Sequence, residues 1–190
     1  MRGPFASLES ALGALLEAVG ELPERGAQVG HGPPDQGQER AAVLLAQGEA
    51  GGAVGTWANR TSLWWPPSHS VSSAPGLAVT FESRRGGRIF ERTPEGVEHD
   101  WGQVLAWEPP HRLVVTWQIN GHWQYDPDPE HASEIEVRFT ADRPDQTTVT
   151  LEHRHLDRLV DGQALRDGIT GGGGWTSLLE LLAKAATNQT

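Results

Sequence analysis

Two imidazoles, His153 and His155, stand two residues apart in the segment TVTLEHRHL. On an extended strand that spacing puts both on one face. Such a pair could begin a metal site, but a zinc centre takes at least three protein ligands, and no third stands at a suitable spacing. His99 and His122 lie elsewhere in the chain, and no metal or cofactor is expected. His153 instead reads as a polar group on an otherwise apolar face, the kind that orients a ligand between apolar walls. Glu91, in the strand after the turn signal Arg84–Gly87, is a second candidate for that role.

Other chemistries find less support. Glycines 171–174 run directly into Trp175, whereas a phosphate-cradling loop closes on Gly-Lys-Ser/Thr, so a lead-in to a closing helix is expected there. Asp126, Asp128 and Glu130 alternate with Pro127 and Pro129 and lack the glycine and terminal glutamate of a calcium loop, which reads as a solvated loop. Ser68-His69-Ser70 has no nucleophile-elbow context, so hydrolase chemistry has no support and no catalytic residue is assigned.

Eight tryptophans in 190 residues are the stronger signal. Indoles are large and seldom fully buried, so this number implies a bulky core or a wide cavity wall. Trp64 and Trp65 precede Pro66 and Pro67, Phe81 and Trp117 fall on inward-facing strand positions, and Trp175 opens the last helix. With Glu91 and His153 they form the candidate ligand-binding set, as core or as cavity lining.

These side chains must be held by a run of strands. Alternation places Leu77, Val79 and Phe81 on one face; Trp101, Gln103, Leu105 and Trp107 on another; then Leu113, Val115, Trp117 and Ile119. Ile135, Val137 and Phe139 point inward, with Glu134, Glu136 and Arg138 on a wet face. Val149, Leu151, His153 and His155 share the last strand face, and Trp175, Leu178, Leu179, Leu182 and Ala186 make a helical stripe. Residues 41–47 read as a short strand. Residues 48–60, with four glycines, read as a poor helix. Residues 5–22 have helical periodicity and 23–40 the composition of a linker, so an appendage over 1–40 precedes a domain over 41–190. The class is α+β, an antiparallel sheet closed by one long helix.

The formal net charge of -10 argues against nucleic acid and anionic membrane as partners. The absence of cysteine excludes disulfides and thiolate sites. No apolar run reaches membrane-spanning length and the N-terminus makes a poor signal peptide, so a cytoplasmic location is expected.

The segments LWWPPSHSV, GGRIFERTPEGVEHDWGQVLAWEPPHRLVVTW, TVTLEHRHL and GGGGWTSLLELLAKAA, over residues 61–187, resemble the bacterial family of activator-of-Hsp90-ATPase homologues in the START-like (SRPBCC) superfamily. Residues 48–60 depart from the family pattern. The resemblance implies a helix-grip fold: a curved antiparallel sheet around a long C-terminal helix, with a cavity between them. It further implies binding of a small apolar or amphipathic molecule without catalysis. The alternatives are a co-chaperone domain acting on a chaperone ATPase, in keeping with a stress-response role, and a cyclase- or hydratase-type enzyme using a cavity His or Glu.

Overall fold

A computed structural model describes residues 38–45, 50–72, 74–171 and 174–187; the expected helix over 5–22 lies outside them. Strand β1 (Gln38–Leu45) leads into helix α1 (Ala50–Asn59) and the one-turn helix α2 (Thr61–Trp64). Six strands follow: β2 (Ala78–Phe81), β3 (Arg88–Arg92), β4 (Glu98–Glu108), β5 (Arg112–Trp117), β6 (Ser133–Arg143) and β7 (Gln146–Arg154). Helices α3 (Gly162–Gly171) and α4 (Gly174–Thr187) complete the order.

The seven strands form one antiparallel sheet in the order β1-β7-β6-β5-β4-β3-β2. Strands β2 to β7 are a meander, and the two short helices carry the chain from one edge of the sheet to the other. Helix α4 packs against β1, α1 and α2. Its buried stripe, Trp175, Leu178, Leu179 and Leu182, is the one the sequence predicts. The structure is the helix-grip arrangement. No helix among the described residues is long and apolar enough to cross a membrane.

Residues 48–60 correct the sequence reading, because a helix spans Ala50–Asn59 despite its glycines. Ala50, Ala53, Val54, Trp57 and Ala58 are buried at i, i+3, i+4, i+7, i+8 spacing, a stripe of small residues around one indole. Burial against α4 and β6 supplies what propensity does not. Gly51 and Gly52 are exposed, and a Cβ at either would meet nothing within 4 Å. Replacing either by alanine is therefore expected to raise stability by about 0.5–1 kcal/mol, read as a higher urea midpoint with an unchanged slope.

Strand β4 is a second correction. Its pairing with β3 skips Trp101, Gly102 facing Ile89 and Asp100 facing Phe90, and its pairing with β5 shifts again between Val104 and Ala106, so Trp101 and Val104 are buried while Gln103 is exposed. A one-residue bulge moves every later side chain to the other face, which breaks the expected Trp101–Gln103–Leu105–Trp107 set. Gly102 sits so close to β5 that a Cβ there would lie 2.1 Å from the Thr116 carbonyl oxygen. On β6 the expected wet face holds an exception. Glu136 is buried beneath Arg112 (3.2 Å), Arg154 (3.1 Å) and Arg138. Burial opposes the ion there, but the Arg112 hydrogen bond and the three guanidinium charges overcome it and hold the carboxyl below its usual range.

His155 also departs from expectation. Strand β7 ends at Arg154 and His155 adopts a left-handed backbone (φ 62°), so it leaves the face that carries His153. Helix α3, which sequence periodicity did not reveal, buries Leu165 with Leu156 and Leu159 in a satellite cluster beside Trp117 and Trp123.

Candidate functional site

Pro66 and Pro67 stop α2 at Trp64 and turn the chain into an extended segment and a single 3-10 turn, Pro67–His69. That break sends the adjacent indoles in different directions. Trp64 packs on Trp57, with ring centroids 4.8 Å apart, and donates its N–H to the Thr56 carbonyl at 3.2 Å. Trp65 faces the sheet. Its ring lies 4.8 Å from Trp101 and 6.4 Å from both Trp117 and Trp175, centroid to centroid. Trp65 thus links the helical layer, the sheet and the closing helix.

Glu91, on β3, is fully buried and is the polar hub beside these rings. Its Oε1 accepts from the Val71 backbone N–H at 2.6 Å and the Trp101 indole N–H at 2.7 Å. Its Oε2 accepts from the hydroxyls of Ser70 at 2.6 Å and Ser72 at 3.1 Å. One carboxylate therefore fixes the 70–72 segment to the sheet and sets the plane of the Trp101 ring.

His153 is fully buried on β7, deeper in the same layer. The Trp175 indole, which can only donate, points its N–H at Nδ1 over 3.3 Å. Nδ1 is then the acceptor, and Nε2 carries the proton and donates to Ser133 Oγ at 2.7 Å. The Ser133 hydroxyl has the Trp117 carbonyl 3.4 Å away. Burial lowers the imidazole pKa to about 3, so the ring is neutral at physiological pH. Both ring nitrogens are engaged within the protein. Their bonds orient Trp175 against Trp117, whose ring centroid lies 5.7 Å away.

A cavity of about 100 Å³ opens beside Trp65 and Trp101, bordered also by Glu91, Ser70, Pro66 and Val79. Of the residues singled out from the sequence, Trp65 and Glu91 border it; Trp117, His153 and Trp175 form the packed layer around it. Trp64 is in the core beneath α1. Phe81 packs on Trp107, centroids 5.7 Å apart, and does not border this cavity. Sequence reasoning did not select Trp101 as a site residue, although its place on an inward face of β4 was the available signal. Ser70 and Ser72 were also missed, and their serine-rich segment next to the tryptophan pair marked them. Two indole N–H groups in this cluster, on Trp65 and Trp117, are buried and find no acceptor among the described residues. No group of three or more His, Asp or Glu side chains among the described residues is arranged to hold a metal ion.

Residues 56–187 match the family model described as activator of Hsp90 ATPase homolog 1-like protein. No curated protein matches the sequence significantly. Among solved structures, the chain is 37% identical to Txn09, an anthrahydroquino-γ-pyrone synthase, covering 78% of this chain and 96% of that one with a TM-score of 0.57. It is 28% identical to CalC of Micromonospora echinospora, a self-sacrificing resistance protein, over 81% of this chain and 98% of that one, TM-score 0.58. A protein of Nitrosomonas europaea, NE0264, shares the fold at 16% identity over 84% of this chain and all of that one, TM-score 0.56.

Proposed function

Because the chain belongs to the activator of Hsp90 ATPase homolog 1-like family, with a START-like helix-grip fold, we propose that it binds a small, planar, mainly apolar molecule against Trp65 and Trp101. The observation that carries this reading is the cavity beside those two indoles, mainly apolar on its walls and bordered also by Glu91 and Ser70. Apolar walls with a few fixed polar groups are the usual make-up of a small-molecule site. The 37% identical relative supports an aromatic occupant, since the name of that synthase denotes a fused, oxygen-bearing ring system. At about 100 Å³ the cavity takes a ligand of about one ring, whereas sites for larger molecules run to about 300–1,000 Å³. A fused-ring ligand requires the 66–72 segment to lift, and Glu91 holds residues 70–72 of that segment down.

The test is a titration of the purified protein with benzene-, naphthalene- and anthracene-based compounds, followed by indole fluorescence and native mass spectrometry. Saturable binding is expected for at least one series. Trp65→Ala should weaken it by about tenfold or more, the loss of a large stacking surface. If none of the series gives saturation or a retained mass, the binding reading fails.

A second reading, catalysis on such a ligand, is favoured by the synthase activity named for that same relative and by a buried carboxylate at the cavity. The discriminating variant is Glu91→Gln, which keeps the hydrogen-bonding shape but removes the base. An enzyme would lose turnover while retaining binding; a binding protein shows no turnover to lose.

A further inference from the structure

The unpaired indole donors carry the argument beyond the shape of the ligand. Within one cluster of packed tryptophans, Trp64, Trp101 and Trp175 each direct the N–H to an acceptor: the Thr56 carbonyl, Glu91 and His153. Trp65 and Trp117 do not, although the N–H of each is buried and the Trp65 side chain is only 9% exposed. An indole can donate and nothing else, so only an acceptor satisfies it. The side-chain acceptors that serve the neighbouring indoles are taken. Both oxygens of Glu91 already receive two bonds each, and Nδ1 of His153 receives Trp175. Buried donors without acceptors are rare, because each forfeits its bond to water and gains nothing in exchange.

Resting on the binding reading above, we infer that the ligand presents a hydrogen-bond-accepting oxygen, of the quinone or ketone type, to the Trp65 N–H, with the Trp117 N–H as a second donor deeper in the stack. Trp65 borders the cavity, and the Trp117 ring centroid lies 6.4 Å from that of Trp65. Ligands whose polar groups only donate, and plain hydrocarbons, leave both donors unpaired and are disfavoured.

The deciding experiment compares 1,4-naphthoquinone with naphthalene by calorimetry and by ¹H–¹⁵N spectra of the indole N–H resonances. The two probes match in shape, and the hydrocarbon is the more apolar, so burial of surface alone ranks naphthalene first. The expected result is the reverse: naphthoquinone binds about tenfold or more tighter, in keeping with one buried hydrogen bond. The Trp65 N–H resonance moves downfield with the quinone and not with the hydrocarbon. In Trp65→Phe the ratio of the two affinities falls toward that set by hydrophobicity. Equal binding of both probes with an unmoved Trp65 resonance overturns the acceptor inference and leaves aromatic binding standing. Binding of neither overturns both.

Discussion

Replacing Glu91 by alanine is expected to destabilise the protein by about 3–5 kcal/mol, whereas replacing it by glutamine should cost about 1.5 kcal/mol or less. The difference follows from the donors. Alanine strands the Val71 N–H and the Trp101 indole N–H beside a position where Glu91 itself has no exposure, and takes an acceptor from the Ser70 and Ser72 hydroxyls, which keep their 3.2 Å contact with each other. Each buried orphan costs about 1–3 kcal/mol, tempered by whatever water the vacated space admits. Glutamine keeps an acceptor where Oε1 stands, for the two N–H groups that can only donate. Its amide nitrogen takes the place of Oε2, and the serine hydroxyls turn to accept from it. Urea unfolding at neutral pH measures both variants, and for a domain of this size each kcal/mol moves Tm by about 2–4 °C. Because three of these bonds hold the 70–72 segment, alanine should also speed hydrogen exchange at Val71 selectively, while the β6–β7 ladder is less affected. An alanine variant within 1 kcal/mol of the parent would show that the Glu91 cluster does not hold the segment.

That cluster also marks the limit of what the sequence discloses. Strands β5, β6 and β7 are legible because their alternation is unbroken: Leu113, Val115 and Trp117; Ile135, Val137 and Phe139; Val149, Leu151 and His153. Helix α4 is legible for the same reason at helical period. The failures have separate physical causes. In α1 the stripe is made of alanines and one tryptophan, and its glycines lower propensity without touching the buried face. In β4 two register shifts, at Trp101 and between Val104 and Ala106, each move the period by one residue, and nothing in the local pattern of WGQVLAW announces them. Helix α3 offers little apolar signal, with Leu165 its one large buried side chain. At the site, residue type was readable and partnership was not. Glu91 is bonded by groups about 20 positions earlier, and His153 by Ser133 and Trp175 at separations of 20 and 22. The sequence could offer His153 as a polar contact in an apolar wall. Only the fold reveals that both its nitrogens are already engaged.

That engagement makes stability depend on acid. The His153 pKa in the fold is about 3, lowered by burial, against an ordinary value of 6.5 once the chain unfolds. Between those values the unfolded chain binds a proton that the folded chain refuses, so stability falls as pH drops from 6.5 toward 3 and is independent of this group above that range. The slope is about 1.4 kcal/mol per pH unit, so about 2 kcal/mol should be lost by pH 5. Protonation at Nδ1 would also set two donors, imidazolium and Trp175 indole, against each other across 3.3 Å. His69 is shifted the same way by burial and adds to the trend, while His131, raised by its hydrogen bond to Asp126, works against it. The His153→Phe variant isolates the group. It is less stable than the parent at pH 7, because Ser133 and Trp175 lose their partner, but the gap between the two should narrow by about 1.4 kcal/mol per unit below pH 6.5. In the parent, the His153 ring resonances should hold their neutral positions down to at least pH 5. A midpoint near 6.5, or parallel stability curves for parent and variant, would mean that the imidazole reaches water and that the closed Trp175–His153–Ser133 chain does not persist in solution.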